Sequence, residues 1–327
     1  MSDLGDASSL LTISDLSVAF GGASGMHRAL DGVSLKVRAG STLGIVGESG
    51  SGKSVLSKAI LRILPKNAHV DPRSSINYSG TELLRLGDRQ MRQYRGKRIA
   101  MIFQDPITSL NPVRTIGAQI SETVMVHLGL SRAAARDRAV ELLSAVGLAH
   151  PDKRVEQFPH ELSGGMRQRV VIAMAISCEP NLLIADEATT ALDVTVQAEI
   201  LELLLQLQRS RKMTMILITH DLGVAANYTD TIAVMYGGQL LETGPTRSVF
   251  TEPKVPYTRA LLEAIPRLAD PSHSRLKTIP GRARRYQSEE VGCHFAERCP
   301  SVSSQCQIQM PPFAEVAFGH NFRCWNS

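Results

Sequence analysis

Residues 11–20 (LTISDLSVAF) and 29–37 (ALDGVSLKV) alternate apolar and polar positions, with glycines between them. That period of two predicts a pair of antiparallel strands. Leu43-Gly44-Ile45-Val46 is a short, continuously apolar run, read as a buried strand. It leads into a Gly-rich turn and then an amphipathic stretch (Val55, Leu56, Ala59, Ile60, Ile63, Leu64), a helix that Pro65 should end. Residues 66–98 are polar and basic, which fits surface strands and loops, and Arg98–Phe103 reads as another strand. From Thr115 to Leu148 the apolar spacing is helical, with Gly147 as a C-cap. Leu182–Ala185 and Met215–Thr219 are apolar at nearly every position and flank a helical pattern over Val196–Gln208. The alternation of strand and helix predicts a parallel sheet with helices on both faces. Past residue 251 the pattern changes to clustered prolines, a basic run (Arg282–Arg285) and four cysteines, so a domain boundary is expected near residue 250.

Composition narrows the class. The chain has 327 residues, 43% apolar and 20% charged, which is globular and leaves room for two domains. A net charge of +5 is too small for a nucleic-acid-binding stripe. The longest apolar runs, such as Val170–Ile176, fall far below the ~20 residues a spanning helix needs. Met1–Leu11 lacks the basic and apolar regions of a secretory signal, so the cytoplasm is the expected compartment. In that reducing setting four closely placed cysteines suggest a metal site before a disulfide framework.

The chemistry-bearing segments lie between these elements. Gly47-Glu48-Ser49-Gly50-Ser51-Gly52-Lys53-Ser54 fits G-x-x-x-x-G-K-[ST] between a strand and a helix. Its backbone N–H groups and helix N-terminus suit phosphates, Lys53 can reach the β- and γ-phosphates, and the Ser54 hydroxyl suits Mg²⁺. Leu182–Glu187 is an apolar strand ending in two carboxylates; Asp186 suits the Mg²⁺ shell and Glu187 an attacking water. Ser163-Gly164-Gly165 precedes a second helix and forms another anion-binding end. A dimer in which each chain closes on its partner's nucleotide would use it.

This ordered set resembles the ATP-binding cassette (ABC) ATPases over about residues 11–245. The family's fold is α/β: a P-loop nucleotide-binding domain with an antiparallel β subdomain, a parallel-sheet core and an inserted helical subdomain, here about 115–165. The resemblance implies that Gln104 is the Q-loop residue beside Mg²⁺, that Asp193 closes the D-loop Ala191-Leu192-Asp193, and that His220 is the switch histidine. It also places Phe20 against adenine, with a core role for Phe20 and His27 or Arg28 against the base as the alternatives, leaves Gly47, Ser49, Gly50, Ser51 and Gly52 on the phosphates, and assigns Ser163, Gly164 and Gly165 to the partner's γ-phosphate. Lys53, Gln104, Glu187 and His220 are then the catalytic set, and Ser54, Gln104 and Asp186 hold the magnesium. One position departs from the pattern: Ala188 stands where the family usually has proline, which should loosen a helix start.

The segments FQDPITSLNP (103–112) and VPYTRALL (255–262), with the cysteine tail, resemble the peptide/nickel importer branch, most of all its D-type dipeptide or oligopeptide permease subunit. That resemblance implies an ATPase for peptide uptake, with nickel or another solute as the alternative. It also implies a peripheral position on the cytoplasmic face of the inner membrane. Its implied partners are a second ATPase subunit in a heterodimer, two transmembrane permeases and an extracytoplasmic solute-binding protein. The boundary at 250 then separates the ATPase domain (1–250) from a small Cys-rich extension (251–327). Cys293, Cys299, Cys306 and Cys324 follow C-x5-C-x6-C-x17-C, unlike paired zinc-ribbon spacing. Some D-type subunits carry a [4Fe–4S] site there; zinc, or free or disulfide-bonded thiols, are the alternatives. Cys178 reads as a small core residue, and the basic run as a solvated face or a site for acidic partners or lipid. A non-transport ABC ATPase is the rival within the family, although the chain shows neither a coiled-coil insertion nor a second cassette. A redox-sensing binding module and an exporter subunit are weaker rivals.

Overall fold

The computed structural model describes residues 9–22, 25–189, 193–265, 278–281, 286–287, 291–316 and 319–326. In chain order the first elements are β1 (Ser9–Gly22), β2 (Gly25–Arg38), β3 (Thr42–Val46), α1 (Lys53–Ile60), β4 (Ala68–Val70), β5 (Ser75–Tyr78) and β6 (Thr81–Glu82). Then come α2 (Asp88–Met91), β7 (Ile99–Ile102), α3 (Pro106–Ser109), α4 (Ile116–Leu128), α5 (Arg132–Ala145), α6 (Pro151–Arg154), α7 (Gly164–Ala175), β8 (Leu182–Asp186), α8 (Val194–Arg211) and β9 (Thr214–Thr219). The last are α9 (Leu222–Tyr228), β10 (Thr231–Tyr236), β11 (Gln239–Pro245), α10 (Thr246–Thr251), α11 (Pro256–Glu263), β12 (Tyr286–Gln287), α12 (Ser304–Ile308), β13 (Ala314–Val316) and β14 (His320–Phe322).

The chain forms two compact units, residues 1–85 with 217–327, and residues 86–216. The first contains the expected hairpin: β1 and β2 pair antiparallel, with Val18 opposite Leu30 and Phe20 opposite His27. The sheet runs β12-β2-β1-β5-β6, with β4 also on β1. Leu11 and Ile13 are buried in alternation, and so are Leu16 and Val18 after a register slip at Asp15 (φ 47°) that shifts the phase by one residue. A second layer runs β13-β14-β11-β10-β3. Only β3 and β10 are parallel there; β11 and β14 add antiparallel strands, so the sheet is mixed and not purely parallel. All five residues of β3 are buried, consistent with its unbroken apolar run.

The second unit holds the helices expected over 115–148 as α4 and α5. Thr115 and Ser131 cap them, accepting from the Ala118 and Ala134 amides. Gly147 lies just past the end of α5 at φ 75°; its amide donates to Ser144 and that of Leu148 to Leu143. That is a Schellman closure, the role expected of this glycine. β7 and β8 pair parallel within the same unit.

Two local expectations change. α1 ends at Ile60, not at Pro65, because Arg62 turns left-handed (φ 52°) and the Arg62 and Ile63 amides donate to Ala59 and Lys58. This is again a Schellman closure, and it leaves Ile63 and Leu64 outside the helix. The small separate C-terminal domain also does not emerge as a compact unit of its own. Phe295 and Phe322 join Val46, Ile232, Val234, Tyr236 and Tyr257 in one buried cluster, with Cys293, Cys299 and Cys324 packed on it. The C-terminal region therefore shares the core of the unit that holds the phosphate loop. The basic run Arg282–Arg285 lies outside the described residues.

Candidate functional site

In the first unit β3 runs straight into the loop 47–54. Gly47 (φ 150°) could not carry a Cβ without colliding with the Met235 carbonyl oxygen. A Cβ on Gly52 (φ 103°) would lie 2.7 Å from the Ala29 carbonyl oxygen. Backbone crowding thus requires glycine at both ends of the motif, and Gly52 is also the N-cap of α1. No acidic residue occupies the first turn of that helix, so the helix itself supplies no carboxylate against its positive end. Lys53 is 5% exposed, and its ammonium donates to the carbonyls of Gly47 (2.7 Å) and Glu48 (2.9 Å). Its Nζ also lies 3.4 Å from Ser51 Oγ. Ser49 and Gly50 form the exposed tip, and Ser54 is half-buried at the start of the helix.

Phe20 is half-buried on β1, between His27 on β2 and Ala68 on β4. His220 follows β9 and is exposed. Asp221 next to it caps α9, its Oδ1 accepting from the Gly223 and Val224 amides.

The second unit positions the carboxylates. Asp186 ends β8 and is 3% exposed. Glu187 follows in a left-handed conformation (φ 47°), uncommon for a residue with a side chain. Its Oε2 accepts from Gln104 Nε2 at 2.9 Å, so two residues singled out separately in sequence are brought together. Ala188 is buried in a turn, and among the described residues the next helix begins at Val194. Asp193 caps α8, accepting from the Val196 amide at 2.9 Å, while Ala191 and Leu192 lie outside the described residues. Ser163 caps α7 through the Met166 amide. A Cβ on Gly165 would lie 2.8 Å from Val196 Cγ1, so Gly165 is a close approach between α7 and α8. Gly164 is exposed beside it.

The four tail cysteines gather in the first unit. The Cys293 amide donates to the Cys306 carbonyl at 2.8 Å. Burial pushes the Cys293 thiol up to about 11, and the neighbouring Cys306, Cys299 and Cys324 push the same way. The donor chemistry suits a soft metal centre. The arrangement does not: among the described residues no group of three or more His, Cys, Asp or Glu side chains is placed to hold a metal ion. Cys178 is buried, as expected of a core residue.

Sequence reading missed one set of residues here. Arg298 grips the Glu48 carboxylate with Nη1–Oε2 at 2.6 Å and Nη2–Oε1 at 3.0 Å, while the Glu48 amide donates to Tyr257 Oη at 2.9 Å. Glu48 occupies a free position of the motif and Arg298 a spacer between cysteines, so no pattern marks either one.

Residues 30–190 match the ABC transporter family, and residues 241–306 match the oligopeptide/dipeptide transporter C-terminal region. A probable peptide ABC transporter ATP-binding protein of Sinorhizobium fredii is 48% identical, covering 97% of this chain and 95% of its own. The oligopeptide transport ATP-binding protein of Bacillus subtilis is 48% identical (97% and 88% covered). The dipeptide transport ATP-binding protein of Escherichia coli is 46% identical (96% and 96%). Among solved structures, a dimeric ATP-binding cassette bound to ADP and phosphate in a post-hydrolysis state aligns with a TM-score of 0.65. It is 26% identical and covers 72% of this chain and 99% of that one.

Proposed function

The chain belongs to the ATP-binding proteins of the peptide ABC transporters, and from that premise we propose how its residues serve an importer of di- and oligopeptides. It is an ATPase, converting ATP and water to ADP and phosphate to drive translocation. The observation that carries the residue assignments is the buried Lys53 ammonium, held by two loop carbonyls at the N-terminus of a helix whose first turn holds no acidic residue. Such a cation at such an end binds anionic phosphate.

Lys53 and the amides of residues 47–54 hold the phosphates, and Phe20 lies against the base. Ser54, Gln104 and Asp186 are the residues that would hold Mg²⁺, whose charge would neutralise phosphate oxygens. Glu187 orients the attacking water, and the Gln104 amide fixes that carboxylate. His220 supports the γ-phosphate. Ser163, Gly164 and Gly165 serve the nucleotide of a second ATPase subunit, so that ATP favours a closed pair and hydrolysis reopens it. Asp193 belongs to the same closing surface. That second subunit is a related but different chain, and two permeases and a solute-binding protein complete the assembly. No helix among the described residues is long and apolar enough to cross a membrane. We place the chain on the cytoplasmic face, attached through the permeases.

We also propose the [4Fe–4S] assignment for Cys293, Cys299, Cys306 and Cys324. It rests on the donor set alone, since four thiols in one segment are the usual complement of such a centre. Iron and acid-labile sulfide in anaerobically purified chain support it; zinc, or no metal, removes it.

Lys53→Ala should weaken MgATP binding at least tenfold, read with a fluorescent nucleotide. Glu187→Gln should leave binding intact and slow turnover by about 10²–10⁴-fold, the usual contribution of a positioned base. Unchanged affinity in the first variant or unchanged turnover in the second overturns the corresponding role. Uptake of labelled peptides into vesicles holding the assembled importer tests the cargo.

A further inference from the structure

We propose that Arg298 is a positioning residue for the phosphate loop, and that the cysteine-bearing C-terminal segment acts through it as a brace on the nucleotide site. The inference deepens the reading above, because it assumes that loop 47–54 binds phosphate. An exposed ion pair is normally worth little. This one differs in three respects. The Arg298 side chain is 7% exposed and that of Glu48 28%. The pairing is bidentate, which fixes orientation as well as distance. All five guanidinium N–H groups are also committed: Nε to the Pro280 carbonyl, Nη1 to Glu48 and Tyr236 Oη, Nη2 to Glu48 and the Ile279 carbonyl. The guanidinium lies 5.6 Å from the centre of the Tyr236 ring, a further hold on its orientation.

Glu48 is thereby fixed at three points. Its carboxylate meets Arg298, its amide donates to Tyr257 Oη, and its carbonyl accepts from Lys53 Nζ. The last contact matters most, because the same ammonium must reach the phosphates. Where Glu48 goes, the rest position of Lys53 follows. A second strut reaches the loop at Ser51. His294 Nδ1 sits 2.6 Å from the Gly237 carbonyl oxygen, and the next residue, Gly238, donates its amide to the Ser51 carbonyl at 3.0 Å. Both struts start beside a cysteine, His294 after Cys293 and Arg298 before Cys299. The state of the cysteine segment therefore bears on the phosphate loop through two short paths.

The test uses the full-length chain. Hydrogen exchange of the amides of residues 48–53 is followed without nucleotide in the parent, Arg298→Ala and Glu48→Gln. MgATP affinity and turnover at saturating ATP follow in the same proteins. We expect faster exchange in the loop and about tenfold weaker ATP binding, the scale of a charge-assisted pair, with a smaller change in saturated turnover. Adding Arg298→Ala to Glu48→Gln should change little further, since either change already breaks the same bidentate charge pair. Glu48→Gln leaves the C-terminal packing in place, so it decides the question if Arg298→Ala does not fold. Parental exchange and affinity in Glu48→Gln, or additive effects in the double variant, overturn the brace. A parent chain that fails to bind MgATP overturns the function reading instead, while the exchange data still judge the brace.

Discussion

Glycine and carboxylate positions carry the local logic of the nucleotide site. Gly47 and Gly52 are fixed by backbone atoms of Met235 and Ala29, so the motif spacing records real crowding. The same spacing says nothing about Glu48, whose partner lies 250 residues away in sequence. Motif reading recovers groups that touch a phosphate, because the ligand imposes their chemistry. It misses groups that touch only those groups. The Gln104–Glu187 hydrogen bond is an intermediate case, with both residues identified and their contact visible only in the fold. Cys293 gives a prediction at this scale. Its thiol titrates near 9 when unfolded and at about 11 when folded and metal-free, raised first by burial. Between those values the unfolded chain loses a proton that the folded chain keeps. The stability contribution is complete below pH 9 and declines as pH rises toward 11, by about 2–3 kcal/mol. Urea midpoints of reduced, metal-free chain across that range should fall; the decline should be smaller in Cys293→Ser.

At the scale of elements, hydrophobic period located the strands and helices well and their ends less well. The alternation in β1 and β2 and the apolar runs of β3, β8 and β9 correspond to observed strands because each run matches a buried face. Helix ends depend on single residues. Gly147 was legible as a stop, since glycine favours the left-handed turn. Arg62 and Lys212 make the same turn without glycine (φ 52° and 51°), and nothing in their side chains announces it. After α8 the Lys212 and Met213 amides close on Arg209 and Gln208. Lys212→Gly should therefore stabilise the chain by about 1 kcal/mol by relieving the left-handed strain. The thermal midpoint would rise by a few degrees; a fall would show that the lysine side chain matters more than its backbone.

At the scale of the molecule, the proline-rich change in composition after residue 250 suggested an appendage, and the core shows integration. Tyr236, Tyr257 and Phe295 meet with ring centres 4.7, 5.2 and 5.1 Å apart. These rings come from β10, α11 and the cysteine segment, a meeting that no local period encodes. Phe295→Ala should cost about 3–5 kcal/mol, typical of a deleted core aromatic. Limited proteolysis should then cut within residues 278–326 well before the rest of the chain; parental cleavage would show that the segment is held mainly by its polar contacts.

The short pair β13–β14 has a consequence of another kind. β14 covers β11 through Glu242–Phe322 and Thr243–Asn321, and β13, only three residues long with Glu315 exposed, becomes the outermost strand. A chain lacking them would bare the hydrogen-bonding rim of β11, a template on which copies can stack. Capping by β14 and β13 thus leaves a three-residue edge in place of the seven-residue rim of β11.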